Sequence, residues 1–127
     1  MVVLVYLITV LSLVVVVGTR LRLRGGESWW LQLHTGFGIA GFVIWMVFLI
    51  APESSTLGNA LVGIIGLGCW WVVSVVGLML IQTTRSGGGR RVADAPRGSG
   101  QLAAGLVHVA ILAAWVLCTW AYAVKKV

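Results

Sequence analysis

Residues 29–51 read WWLQLHTGFGIAGFVIWMVFLIA and contain no charged side chain. At about 1.5 Å per residue, a helix over Trp29–Ala51 would be about 35 Å long, enough to cross a hydrocarbon core of about 30 Å. Three further apolar runs occupy Met1–Gly18, Leu61–Ile81 and Leu102–Val124. The sequence therefore predicts four transmembrane helices.

The composition of the whole chain agrees with this prediction. Hydrophobic residues make up 60% of the 127 positions and charged residues only 9%, whereas a soluble domain carries roughly 25% charged residues. No basic residue precedes the first run and no small-x-small cleavage pattern follows it, so we expect a retained helix and not a signal peptide. The predicted fold is an all-α integral membrane protein, with residues 1–127 forming one up-down four-helix bundle.

The basic residues predict an orientation in the membrane. Predicted loops 19–28 and 82–101 carry all of the arginines, namely Arg20, Arg22, Arg24, Arg85, Arg90, Arg91 and Arg97. The connection over residues 52–60 has only Glu53 as a charge, and Lys125 and Lys126 are the basic residues that oppose the assignment. The positive-inside rule then places both loops in the cytoplasm and both termini outside the plasma (inner) membrane. The net charge of +6 is explained by topology and lipid head groups, and does not indicate nucleic-acid binding.

Two histidines, His34 and His108, are the only ones in the chain, and each lies a few residues inside the start of an apolar run. The second and fourth helices run in the same direction, so both imidazoles are expected at one depth. A buried imidazole requires a ligand, a hydrogen-bond partner or another protein. One hypothesis is that each ring simply hydrogen-bonds within the bundle or reaches the interface, and that no cofactor is bound.

The alternative hypothesis is that this pair supplies the two axial ligands of one haem b, with no other metal site. Gly38 and Gly41 share a helical face with His34 and are candidates for a groove that accepts the flat ring. Three arginines are close enough in sequence to meet the propionates: Arg22, Arg24 and Arg97.

The placement of two histidines on two of four predicted transmembrane helices resembles, in this general respect, the four-helix membrane cytochromes b. Those families commonly carry two histidines about one membrane thickness apart on one helix, and hold two haems. Here the positions one helix length beyond His34 are Val47 and Phe48, so at most one haem is expected and no family membership is predicted. Aligning His34 with His108 also superposes two helical hairpins, which predicts a weak internal repeat.

The acidic residues exclude several kinds of chemistry. Glu27, Glu53 and Asp94 all lie in predicted loops, so no predicted span has a carboxylate to exchange a proton or a cation. No Ser-His-Asp, Cys-His or paired-carboxylate set can be assembled either. The sequence therefore predicts a protein without catalytic residues.

Tryptophans provide the remaining observation. Trp70, Trp71 and Trp115 fall near the middle of predicted spans, where an indole N–H needs a partner, and we expect them to contact other membrane subunits. The main hypothesis is a non-catalytic accessory subunit of a larger membrane complex, most plausibly a bacterial respiratory electron-transport complex. The alternative is a bis-histidine haem b subunit that transfers electrons to or from a quinone.

Overall fold

The computed structural model describes residues 2–23, 28–85 and 99–124, and these residues form four long helices. The helices are α1 (Val2–Arg22), α2 (Trp29–Ile50), α3 (Ala60–Arg85) and α4 (Ser99–Ala123), with a short 3₁₀ turn at Thr56–Gly58. Within the described ranges there is no strand. All four are long and apolar enough to cross a membrane, which confirms the predicted helices.

The predicted loop boundaries need correction, because the helices continue beyond the apolar runs. Residues 19–22 belong to α1, residues 82–85 to α3, and residues 99–101 to α4. Arg20 and Arg22 lie in the last turn of α1, where a cation interacts favourably with the helix dipole. Several predicted loop and terminal charges lie outside the described residues: Arg24, Glu27, Arg90, Arg91, Asp94, Arg97, Lys125 and Lys126.

Neighbouring helices in the bundle are antiparallel. Tyr6, near the start of α1, donates its hydroxyl hydrogen to the carbonyl oxygen of Leu49 near the end of α2 (3.3 Å). Tyr122, near the end of α4, donates to the carbonyl of Ala60 at the start of α3 (2.7 Å). The predicted up-down order is therefore present, while the likeness of the two hairpins stays a prediction.

The faces that point away from the bundle are apolar. Val3 and Leu106 are each 72% exposed, Leu117 is 64% exposed and Leu7 is 62% exposed. These side chains extend along whole helices, which is unlike the scattered apolar residues on a soluble protein's surface. The bundle thus has an apolar exterior as well as an apolar interior.

Three tryptophans fill the interior between α2, α3 and α4. Trp45, Trp70 and Trp115 are each 0% exposed. The Trp70 and Trp115 rings are stacked, with centroids 4.8 Å apart, and Trp45 packs edge-on against Trp115 at 5.8 Å. Trp70 and Trp115 therefore face the core and are not available to a partner, which corrects the expectation for these two. Of the three tryptophans expected to contact other subunits, only Trp71 is half-buried. It donates its indole N–H to Thr119 Oγ1 (3.1 Å).

One side-chain hydrogen bond joins α1 to α4 inside the bundle. Trp115 donates its Nε1–H to Ser12 Oγ (2.9 Å), and Ser12 donates its own hydrogen to the Ile8 carbonyl (2.7 Å). The hydroxyl thus satisfies the only polar group of a fully buried indole. Sequence periodicity alone does not show this pairing, because the two residues are far apart in the chain.

Replacing Ser12 by alanine should lower the free energy of unfolding by about 1 kcal/mol, since the Trp115 N–H would lose its partner in an apolar interior. Thermal unfolding of the detergent-solubilised protein, followed by circular dichroism, measures the loss. Thr35→Ala is the matched control, because that hydroxyl bonds only the Leu31 carbonyl of its own helix. Equal stability of the two variants would show that the α1–α4 bond contributes nothing.

Candidate functional site

The two histidines meet inside the bundle. His34 projects from α2 and His108 from α4, and their ring centroids are 6.0 Å apart with an angle of 34° between the ring planes. His34 is fully buried and His108 is 7% exposed. Their matched positions in the sequence predicted a common depth, and the structure brings the rings to one place.

Each imidazole is held through its Nδ1 atom. His34 Nδ1 lies 3.1 Å from the carbonyl oxygen of Val73 on α3, and His108 Nδ1 lies 2.8 Å from the carbonyl of Ala104 in its own helix. A carbonyl oxygen only accepts, so the ring hydrogen of each neutral imidazole is on Nδ1. Each Nε2 atom therefore carries a free lone pair.

Both Nε2 atoms are buried without a hydrogen-bond partner among the described residues, as are the indole nitrogens of Trp45 and Trp70. An unsatisfied acceptor in an apolar interior costs roughly 1–3 kcal/mol. Hydrogen bonding within the bundle explains the two Nδ1 contacts but leaves both Nε2 atoms unexplained. A histidine that binds a metal has this arrangement, because it typically donates its other N–H to a carbonyl or carboxylate.

A third helix closes one side of the pair at Gly77. A Cβ atom added to Gly77 of α3 would lie 2.5 Å from His108 Cδ2, 2.9 Å from His108 Nε2 and 3.2 Å from His34 Cε1. The two distances to His108 are below 3.0 Å, so a methyl group at this position would require the His108 ring to move. The absence of a side chain at Gly77 therefore allows both rings to lie against α3.

Gly38 and Gly41 do not line this space, and the predicted groove is corrected accordingly. Val16 of α1 packs on Gly38, at 2.6 Å from a Cβ added there, and Cys69 of α3 packs on Gly41, at 2.9 Å from such an atom. The two glycines permit close helix packing instead. Gly77 was not predicted in this role, although its place near the C-terminal end of the third apolar run gives it the same depth as His34.

The spacing of the rings can be compared with that of a metal complex. A bond from imidazole nitrogen to a metal is about 2 Å long. Two such bonds in line, with about 1 Å from each nitrogen to its ring centre, give centroids about 6 Å apart. The observed separation is 6.0 Å, which matches the spacing of two imidazoles on one metal ion. Gly77 lies against both rings, however, so a flat porphyrin would enter between them only if α3 moved away.

The arginines expected near the propionates are only partly described. Arg22 lies exposed in the last turn of α1, whereas Arg24 and Arg97 lie outside the described residues. Comparisons with known proteins add no functional information, because no protein-family model, curated protein or solved structure matches the chain. The chemistry of the site is therefore inferred from its geometry.

Proposed function

We propose that the chain is an integral membrane subunit that holds one haem b between His34 and His108 and transfers electrons to or from a quinone. The observation that carries the proposal is the pair of buried, unpartnered Nε2 atoms on rings 6.0 Å apart. Membrane insertion is supported by the four apolar helices and by their apolar outward faces. Within the described residues, the charged side chains lie at or beyond the ends of these helices.

Each part of the site has a separate task. His34 and His108 would each supply one nitrogen ligand, and the carbonyls of Val73 and Ala104 hold the Nδ1 hydrogen, which leaves Nε2 free to bind. Gly77, which has no side chain, lets α3 pack directly against both rings. The haem, when bound, would accept and release one electron at a time. Val73, whose carbonyl contacts His34, belongs to the buried apolar cluster that holds the tryptophans.

A visible absorption spectrum of the purified protein tests this proposal. After expression with a sufficient haem supply, we expect the sharp bands of a six-coordinate low-spin haem on reduction with dithionite. Conversion to the pyridine complex should identify haem b at about one per chain. A purified, folded protein without these bands would overturn the proposal.

The accessory-subunit role is a second candidate, and one surface feature favours it. A shallow apolar groove of about 290 Å³ runs along α3 beside the half-buried Trp71, and is lined by Trp71, Val72, Val75 and Val76. A helix of a neighbouring subunit would cover such a surface. The haem subunit and the accessory subunit both belong naturally to a respiratory electron-transport complex.

Co-purification tests membership of a larger complex. In mild detergent the native protein should elute with much larger membrane proteins, and Trp71→Ala should weaken that association if the groove is the contact. Val43→Ala is a suitable control, because Val43 is 52% exposed and lies on α2, away from the groove on α3. A monodisperse monomer in several mild detergents would contradict the accessory role without affecting the haem proposal.

The proposed orientation places Arg20 and Arg22 in the cytoplasm and Glu53 outside, in the plasma (inner) membrane. Support comes from the absence of Lys and Arg in the α2–α3 connection and their abundance in the other two. In intact cells, a cysteine at residue 53 should react with an impermeant thiol reagent. A cysteine at residue 20 should react only after the cells are opened.

A further inference from the structure

The two histidine rings converge on one place beside α3. His108 Nε2 and His34 Cε1, the carbon that joins the two ring nitrogens, lie 2.9 Å and 3.2 Å from the position of a Cβ added to Gly77. Both Nε2 atoms are buried and unpartnered among the described residues. A bare metal ion is smaller than a methyl group, so it fits between two nitrogen donors while α3 stays in place.

The spacing of the rings indicates the angle at which they would share an ion. With about 2 Å from nitrogen to metal and about 1 Å from nitrogen to ring centre, two imidazoles at a tetrahedral angle have centroids about 5 Å apart, and two in line about 6 Å apart. The observed separation between His34 and His108 is 6.0 Å. A shared ion would therefore be coordinated nearly in line.

No further ligand completes a site for a divalent ion. Within residues 2–23, 28–85 and 99–124, no group of three or more His, Cys, Asp or Glu could hold a metal. The rise along α3 from Cys69 to Gly77 is about 12 Å, and that along α4 from His108 to Cys118 is about 15 Å, so neither thiol reaches the pair. Met79 is 40% exposed and lies about 200° around α3 from Gly77.

Two nitrogen donors in line suit few ions. Zinc prefers four ligands in a tetrahedron, and Cu(II) prefers a square-planar set of nitrogen and oxygen donors. Cu(I) has a filled d shell, accepts imidazole ligands, and is stable with two of them in a linear arrangement. The donor set formed by His34 and His108 therefore selects Cu(I) among the common biological metals.

The charge of the ion points to the same choice. The cost of burying an ion rises with the square of its charge, so a monovalent ion costs about a quarter as much as a divalent one in the same apolar interior. The Val73 and Ala104 carbonyls already accept the Nδ1 hydrogens of the two rings. These hydrogen bonds strengthen when the rings share a positive charge, and they make Nε2 a better donor.

We infer that the packed bundle binds one Cu(I) ion between His34 Nε2 and His108 Nε2, in near-linear two-coordinate geometry. This inference goes beyond the proposed function and does not rest on it. A bare ion needs no movement of α3, whereas a porphyrin does. Because haem and Cu(I) would use the same two lone pairs, each excludes the other.

Anaerobic competition of the haem-free protein with bicinchoninate for Cu(I) tests the inference. We expect one Cu(I) per chain, and at least about 100-fold weaker binding in His34→Ala and in His108→Ala, since even an outer partner of a ligand contributes 10- to 100-fold. The double variant Cys69→Ala, Cys118→Ala is the control for thiol binding and should keep the native affinity. Circular dichroism checks the fold of each variant.

X-ray absorption of the copper-loaded native protein gives a readout that needs no variant. We expect the strong pre-edge feature of linear Cu(I), two nitrogen neighbours with imidazole outer shells, and no sulfur neighbour. The same protein mixed with Zn²⁺ should retain no metal after desalting, because two ligands do not complete the zinc tetrahedron.

Sulfur neighbours, a four-coordinate spectrum, or a folded native protein that binds no Cu(I) would overturn the inference. Equal affinity in both histidine variants would do the same. The outcome is separate from that of the proposed function. A protein that binds Cu(I) and no haem would overturn the haem proposal alone, and one that binds haem and no Cu(I) would overturn this inference alone.

Discussion

Alanine at position 34 or at position 108 is expected to abolish the low-spin haem spectrum. Six-coordinate iron needs both imidazoles, and loss of even an outer partner of a metal ligand commonly lowers affinity about 10- to 100-fold. Removing a ligand itself should have at least that effect. The measurement is the reduced-minus-oxidised spectrum of each variant, normalised to protein, together with haem titration of the apoprotein.

Two comparisons separate loss of a ligand from loss of the fold. Thr35→Ala changes the neighbouring side chain on α2, whose hydroxyl donates to the Leu31 carbonyl of the same helix, and should keep the full spectrum. Imidazole added to His34→Ala should restore part of the low-spin bands, because the small ligand can occupy the vacated space. A single alanine variant that retains the native spectrum would exclude the pair as axial ligands.

The second large effect is expected at Gly77, which touches neither iron nor quinone in this proposal. A methyl group there would lie 2.5 Å from His108 Cδ2, so His108 must rotate and lose its bond to the Ala104 carbonyl. We expect Gly77→Ala to reduce haem occupancy about 10-fold or more, as for other groups that orient a metal ligand. Helix propensity favours alanine over glycine by about 1 kcal/mol, which offsets part of the packing cost and preserves the fold.

Gly68→Ala is the matched control on the same helix. An added Cβ at Gly68 has nothing within 4 Å, so this variant gains the same propensity without disturbing the histidines. The measurement is haem occupancy together with circular dichroism of both variants. Normal occupancy in Gly77→Ala would contradict the role of this glycine, whereas loss of helix in that variant alone would indicate that the close packing itself has failed.

Hydropathy and helical rise were sufficient to predict the four helices and the common depth of His34 and His108, because both depend on position along a single helix. They did not predict which groups surround the histidines. Helix α2 is apolar nearly all round, so its composition does not show which face turns inward. The expectation that Gly38 and Gly41 would line a ligand groove failed for this reason.

The burial of tryptophans depends on packing in the same way. Trp70 and Trp71 are adjacent and differ by about 100° around the helix axis, so only one of them can face the core. The sequence by itself determined that the chain is four apolar helices with two imidazoles at one level. The tertiary structure alone decided that α3 presents Trp70 and Gly77 to the interior and that both Nε2 atoms lack a partner, because these features require the rotation of each helix against its neighbours.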